Sequence, residues 1–283
     1  MRDVSVVVPF RNAERHVGRC LRALEGQLPV GGTYEIVMVD DGSTDGSASI
    51  VAGFPRAKLL TQERRGGAYA ARNRGVAASS GATIAFTDSD CEPQPDWLRR
   101  ILEEMSDPGV AVVVGARRPA GRSSLLSLIA AYERAKDEFV FASPIADLYY
   151  GSGNNMAVRR EVFDRLGPFS ERRRGSDTLF VRRVVEALSP DAVRFLPELH
   201  VDHLEIATVR DYYRKLYVYG RSFRRFAPLG RVRPLTSRER LGVWRATVES
   251  RPPRDAAALL GVLALGVLFW WAGSLSGLVR EAT

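Results

Sequence analysis

The sequence predicts an α/β fold with a mostly parallel central sheet, followed by a C-terminal helical region and a transmembrane helix. Three observations carry this expectation. Short β-branched runs alternate with stretches of helical period through the N-terminal third of the chain. Each run ends in a cluster of aspartate, asparagine or glycine. Far downstream, Ala256 to Val279 forms twenty-four residues without a charge.

The elements follow in order. Val4-Ser5-Val6-Val7-Val8 is a strand, stopped by Pro9, with Phe10-Arg11-Asn12-Ala13-Glu14 as the loop behind it. Val17, Cys20, Leu21 and Leu24 then fall at i, i+3, i+4 and i+7 of a helix that Gly26 ends. Glu35-Ile36-Val37-Met38-Val39 is a second strand, delivering Asp40-Asp41-Gly42-Ser43-Thr44-Asp45 into a turn with helix-capping residues. Asp41 and Asp45 read as turn and cap residues. A third strand near Lys58-Leu59-Leu60-Thr61 leads through Gly66-Gly67 to a helix carrying Arg72 and Asn73. A fourth, Ala82-Thr83-Ile84-Ala85-Phe86, runs into Thr87-Asp88-Ser89-Asp90. Strands and helices at this spacing form a parallel sheet with right-handed crossovers, and ligands gather at the carboxyl ends of its strands.

The most informative of these ends is Asp88-Ser89-Asp90. On extended chain, residues two apart point the same way, so one divalent cation can sit between Asp90 and a diphosphate while Asp88 faces a ribose hydroxyl. A base should come from later in the chain, to take the proton of an attacking hydroxyl. Asp177 is the candidate, because it precedes Val181, Val184, Val185 and Leu188, which share one helix face. At a helix N-terminus the backbone dipole favours the ionised carboxylate that a resting base requires.

These motifs, in this order, resemble the family 2 glycosyltransferases of the GT-A fold. The resemblance rests on Val6-Val7-Val8-Pro9-Phe10-Arg11-Asn12-Ala13-Glu14, Val39-Asp40-Asp41-Gly42-Ser43-Thr44-Asp45, Gly67-Ala68-Tyr69-Ala70-Ala71-Arg72-Asn73-Arg74-Gly75 and Thr87-Asp88-Ser89-Asp90. Charge and apolar patterning place a basic linker over 227–255 and a membrane helix over 256–279, while the resemblance continues through Gly153-Asn154-Asn155-Met156 to about Phe226 and implies a catalytic domain over 1–226. It further implies that Pro9, Phe10 and Glu14 border the nucleoside, that Asp40 takes the uracil imide, and that Arg72 reaches the base or its phosphate. Asp88 would bind ribose, Asp90 the metal, Mg2+ or Mn2+. His203 would approach the metal or the diphosphate, and Asn154 or Asn155 the acceptor. The family usually shows Glu-Asp where this chain has Ser176-Asp177. Its processive synthases carry a Q-x-x-R-W motif and several membrane helices, both missing here, so transfer of one sugar per encounter is expected.

Composition agrees with an enzyme of this kind. The 283 residues are 45% hydrophobic, enough for one large core plus an appendage. Cys20 and Cys91 form no C-x-x-C pair, and neither a disulfide framework nor a zinc site is expected. Met1-Arg2-Asp3 runs straight into the first strand, without a signal peptide. The net charge of +8 is local, because from Arg214 to Arg254 twelve lysines and arginines stand against Glu239 and Glu249, which leaves −2 for everything else. That confinement argues against a nucleic-acid partner. The collar precedes the uncharged segment, which as a helix is about 36 Å long against a hydrocarbon core of about 30 Å. Basic residues on one flank place that flank in the cytosol, so the expected location is the cell inner or plasma membrane, with a single C-terminal anchor and a cytosolic catalytic domain. Tyr212, Tyr213, Leu216, Tyr219 and Phe223 form an aromatic stripe that suits a helix at such a surface.

The expected activity is transfer from a nucleoside-diphosphate sugar, UDP-linked, to a lipid or polyprenyl-linked acceptor at the cytosolic membrane face. The second reading is a catalytically silent protein that keeps the fold. A nucleotidyltransferase would share the architecture but would open with a glycine-rich phosphate loop, where this chain has Pro9-Phe10-Arg11-Asn12.

Overall fold

A computed structural model describes residues 3–29, 31–171, 174–223 and 233–279. Its strands are β1 (Val4–Phe10), β2 (Tyr34–Asp40), β3 (Ala57–Thr61), β4 (Thr83–Thr87), β5 (Cys91–Pro93), β6 (Val112–Pro119), β7 (Asn155–Arg159) and β8 (Val193–His203). The α-helices are α1 (Val17–Glu25), α2 (Ser47–Ala52), α3 (Ala68–Ala77), α4 (Trp97–Glu104), α5 (Ser124–Phe141), α6 (Arg160–Leu166), α7 (Ser176–Ala187), α8 (Val209–Phe223), α9 (Ser237–Val248) and α10 (Pro253–Val279). The strands form one sheet in the order β3-β2-β1-β4-β7-β6-β8-β5.

The first half of that sheet is parallel as the sequence indicates: β1 pairs β2 and β4, and β2 pairs β3. The second half is not. β7 runs antiparallel to β4 and to β6, and β5 antiparallel to β8, so the sheet is mixed. Strand periodicity shows that a strand exists, whereas its direction depends on partners far away in sequence.

β1 also runs further than expected, through Pro9 to Phe10. Its pairing with β4 stops at Val7, while its pairing with β2 continues to Phe10 opposite Asp40. A residue without an N–H is tolerated where one side of the strand has been released.

Alternation along β1 builds two layers. Val4, Val6, Val8 and Phe10 enter one core with Cys20, Leu21 and Leu24 of α1 and Trp97 and Ile101 of α4. Val7 faces the other way, where a side chain on Gly75 of α3 would lie 2.3 Å from its methyl, so glycine is what lets α3 lie on the sheet. On that face Phe86, Phe163, Phe169, Phe180 and Tyr69 form a ring cluster with centroids 4.7 to 6.0 Å apart.

Contacts divide the chain into two units, Met1–Arg117 with Pro144–His203, and Arg118–Ser143 with Leu204–Thr283. The first is the sheet with its helices. The second contains α5, α8, α9 and α10, so a helix from the middle of the expected catalytic domain folds with the C-terminal ones. The expected boundary at 226/227 and the side chain of Phe223 lie outside the described residues. Near the end of the linker expected over 227–255, Arg251-Pro252-Pro253-Arg254 contributes its second proline to α10, since a proline suits a helical first turn. In α10, Pro253–Ser276 is long and apolar enough to cross a membrane.

Candidate functional site

The order β3-β2-β1-β4 opens a crevice between β1 and β4 at their carboxyl ends, where loops diverge to opposite sides. Loops after β1 and β2 are tied together there. The Asn12 amide oxygen accepts from the Thr44 N–H at 2.8 Å, and Asn12 takes a positive φ of 50° to do so. The Ser43 hydroxyl accepts from the Asn12 N–H and donates to Asp40 Oδ1 at 2.6 Å. Asp40 Oδ1 also accepts from the Ser43 N–H at 2.9 Å, so this buried carboxylate at the end of β2 is held by one of its two oxygens.

Neighbouring carboxylates brace the loops, as their turn chemistry indicates. Asp41 accepts from the Gly66 and Gly67 N–H groups and from Gln62, and Asp45 accepts from Ser47 and from the Glu14 N–H. Those bonds from Ser47 hold the Asp45 carboxyl below its ordinary range. Exposed Glu14 accepts in return from the Gly46 N–H at 3.2 Å.

Pro9 and Phe10 are both buried. The Phe10 ring lies in the core with Val17 and Cys20, and its carbonyl is taken by the Asp41 N–H at 2.9 Å. The expectation that Phe10 borders a nucleoside is corrected accordingly: strand alternation turns its side chain beneath the crevice.

Asp88-Ser89-Asp90 is not extended. The Cys91 N–H donates to the Asp88 carbonyl at 3.0 Å, closing a turn, and the two carboxylates meet different partners. Asp88 Oδ1 meets Arg72 Nη2 at 2.5 Å. Asp90 Oδ2 lies 3.7 Å from His203 Nε2, because β5 pairs with β8 in a register that sets Cys91 opposite His203. The Cys20 thiol of α1 packs beneath the turn, 3.5 Å from the Asp88 carbonyl. Burial, and then the charges of Asp90 and Asp88, push this thiol far above its ordinary range.

Arg72 joins two parts of the site that sequence reading treats separately. The residue is 4% exposed, and its guanidinium sits 5.0 Å over the Tyr69 ring. Burial works against its charge, but Asp88, Tyr69 and Asp177 outweigh burial and raise its pKa. The Tyr69 hydroxyl donates to Asp177 Oδ1 at 2.8 Å, and the Gly153 N–H donates to Asp177 Oδ2 at 2.9 Å. Burial first, then the Asp177 charge, raises the Tyr69 pKa and keeps the phenol a donor. Asp177 is the second residue of α7, behind Gly175, which takes φ 77°. A continuous path thus runs Asp88–Arg72–Tyr69–Asp177. Tyr69 was not singled out in the sequence, although its i, i+3 spacing to Arg72 puts both on one helix face.

The segment Gly151-Ser152-Gly153-Asn154-Asn155 serves this path. A Cβ on Gly151 would lie 2.5 Å from the Asp177 backbone, and one on Gly153 3.0 Å from the Arg72 guanidinium carbon. These glycines admit protein neighbours. Asn155 is fully buried: its amide oxygen accepts from Trp97 Nε1 at 2.8 Å, and its nitrogen donates to the Ala116 and Leu199 carbonyls at 2.7 and 2.8 Å. An acceptor role for Asn155 is therefore corrected, since its side chain is committed to the core. Asn154 is half-buried and accepts from the Ser152 hydroxyl at 2.9 Å. Along the end of β8 burial alternates, with Leu199, Val201 and His203 inward.

Among the described residues, Asp90, Cys91 and His203 offer ligand atoms within 4.8 Å of one another. A carboxylate oxygen suits Mg2+ or Mn2+, the imidazole nitrogen favours the transition-metal ion of the two, and the buried thiol adds a softer atom. The set fits a divalent cation. The Asp88 carboxylate, occupied by Arg72, is not part of it.

The model of the family described as "Glycosyl transferase family 2" matches residues 5–167. Glycosyltransferase AglE of Haloferax volcanii is 32% identical over 192 residues, which is 65% of this chain and 62% of AglE. The chain spans less than two thirds of the length of this and other curated relatives it matches. Mannosyltransferase PcManGT from Pyrobaculum calidifontis, solved with GDP-Man and Mn2+, superposes with a TM-score of 0.64 at 19% identity, covering 98% of this chain and 89% of that one. Glucosyl-3-phosphoglycerate synthase from Mycobacterium tuberculosis, solved with Mn2+, UDP-Glc and phosphoglyceric acid, gives 0.53 at 22% identity and 71% of each chain. These two share the GT-A fold with the chain.

Proposed function

The chain belongs to glycosyl transferase family 2, and from that membership we propose that it is an inverting, metal-dependent transferase that moves one sugar from a nucleoside diphosphate to an acceptor hydroxyl. The path Asp88–Arg72–Tyr69–Asp177 supports this reading most, because it links the donor side to a carboxylate able to act as base. Asp40 receives the imide of uridine at the end of β2. Asp88, fixed by Arg72, accepts from the ribose hydroxyls. Asp90 and His203 hold a divalent cation, which when bound neutralises charge on the departing diphosphate.

Asp177 takes the proton of the acceptor hydroxyl. The acceptor oxygen forms its bond to the anomeric carbon as the bond from that carbon to the diphosphate oxygen breaks, and the electron pair leaves with the diphosphate. Attack from the face opposite the leaving group inverts the anomeric centre. Tyr69 and the Gly153 N–H hold the base carboxylate from two sides, so it need not reorganise during transfer. Neighbours solved with UDP-Glc or GDP-Man and Mn2+ support this class of donor and ion. The apolar α10 and its basic flank support a membrane setting, a cytosolic catalytic unit and a lipid or polyprenyl-linked acceptor.

The test is release of nucleoside diphosphate from UDP-, GDP- and TDP-sugars, with membrane lipid extract as acceptor and with or without Mn2+ or Mg2+. Release from one donor, dependent on metal and absent in Asp90→Asn, supports the proposal. Tight nucleotide binding without turnover of any donor would favour the silent protein.

A further inference from the structure

Within the helical unit, α10 buries one stripe, with Leu259, Val262, Gly266 and Gly273 turned inward. The opposite arc holds Leu260, Leu265, Leu268, Trp271 and Leu275, each 42 to 64% exposed. Most of the large apolar side chains left exposed among the described residues fall on this one helix. A contiguous apolar arc of that extent marks an interaction surface.

Length would let α10 cross a bilayer, but its neighbour sets the depth. α8 lies alongside it and runs the same way. The Tyr213 ring stacks on Phe269 at 5.0 Å and its hydroxyl reaches the Val262 carbonyl at 3.3 Å. Leu216 lies over Gly266, and further on Tyr217 and Gly220 meet Gly273 and Trp270 backbone to backbone. At those same levels α8 carries Arg214, Lys215 and Arg221; both arginines are exposed, and Lys215 pairs with Glu205 at 3.4 Å. Gly266 is at the midpoint of α10. A transbilayer α10 would therefore take these charges to the middle of the hydrocarbon, the costliest depth for them.

We propose that α8 and α10 dock together on an anionic lipid bilayer as a pair lying in its plane, without crossing it. The apolar arc of α10 enters the boundary between headgroups and acyl chains. Arg214 and Arg221 stay at phosphate level, joined by the exposed Arg238, Arg240 and Arg245 of α9 in the same unit. The inference deepens the membrane side of the proposed function, and its test reads no sugar transfer, so either can fail alone.

The full chain is floated with phosphatidylglycerol-containing and pure phosphatidylcholine vesicles. Binding to the anionic vesicles is expected to fall at least about tenfold in Leu268→Glu/Trp271→Glu, and preference for them to be lost in Arg214→Glu/Arg221→Glu, with unchanged circular dichroism in both. In bacterial cells, a cysteine appended to the C-terminus is probed with a membrane-impermeant maleimide against native Cys20 and Cys91, which are both 0% exposed. The in-plane pair leaves that cysteine unlabelled in intact cells and labelled after lysis. Labelling in intact cells would show a spanning helix and overturn the proposal. So would a stable dimer in detergent-free solution that ignores vesicles, because a second copy would then cover the arc.

Discussion

Arg72 is the residue on which the site turns, since one guanidinium holds Asp88 at 2.5 Å and stacks on the ring whose hydroxyl orients Asp177. If Tyr69 positions the base, Tyr69→Phe should lower kcat roughly tenfold to a hundredfold, with little change in the donor KM or in Tm. Asp177→Asn should cost about 10²–10⁴-fold, the usual range for a general base. Equal kcat in wild type and Tyr69→Phe would reduce that hydroxyl to a packing role. Asn155 gives the converse prediction. Its three buried hydrogen bonds and the Trp97 N–H left behind should make Asn155→Ala about 2–4 kcal/mol less stable in urea unfolding, without changing acceptor KM in the protein that remains folded.

At this scale the sequence was most informative where chemistry is carried by residue type. Asp40, Asp88, Asp90 and Asp177 all stand at strand or helix ends, as the motifs indicate. It was least informative where direction matters. Asn154 and Asn155 look alike as letters, yet burial separates them, and Asp88 and Asp90 find different partners, Arg72 and His203, in a loop that a backbone hydrogen bond folds into a turn.

Among the elements, the first four strands were legible as short apolar runs that end in polar or turn residues, and α1 by its helical period, whereas α3 was legible from its Gly66-Gly67 entry and the motif it carries. The antiparallel return of β7 and the grouping of α5 with the C-terminal helices were not, because both depend on contacts between distant segments. The α8–α10 contact shows another limit. Its glycines look like helix breakers, but a Cβ on Gly220 would lie 1.9 Å from the Trp270 carbonyl oxygen, and one on Gly273 2.0 Å from that of Tyr217. They are contact residues. Gly220→Val or Gly273→Val should destabilise the helical unit by about 1–3 kcal/mol through overpacking, read as earlier loss of helical ellipticity on heating. A neutral outcome at both positions would mean that the two helices do not pack at this distance.

For the whole molecule, stability should fall on the acid side. Burial alone would raise the Asp96 carboxyl, yet hydrogen bonding and charge from Arg100 and Arg99 bring it below its ordinary range, and Asp45 is lowered by Ser47. The folded state then binds fewer protons than the unfolded one. The stability these groups contribute is complete above the ordinary carboxylate value of about 4 and is lost as pH falls through the lower folded values. Tm measured from pH 7 down to pH 3 should drop below about pH 4, less steeply in Asp96→Asn. A flat profile would remove these carboxylates from the account.

The proposed mechanism divides the labour, with metal at Asp90 and His203 and proton transfer at Asp177. A manganese titration of nucleoside diphosphate release in wild type, Asp90→Asn and Asp177→Asn tests it most directly. Release should be metal-dependent in wild type, show no saturable response in Asp90→Asn, and in Asp177→Asn saturate at the wild-type metal concentration with a much lower plateau. Metal-independent release in wild type, or an undiminished plateau in Asp177→Asn, would contradict it.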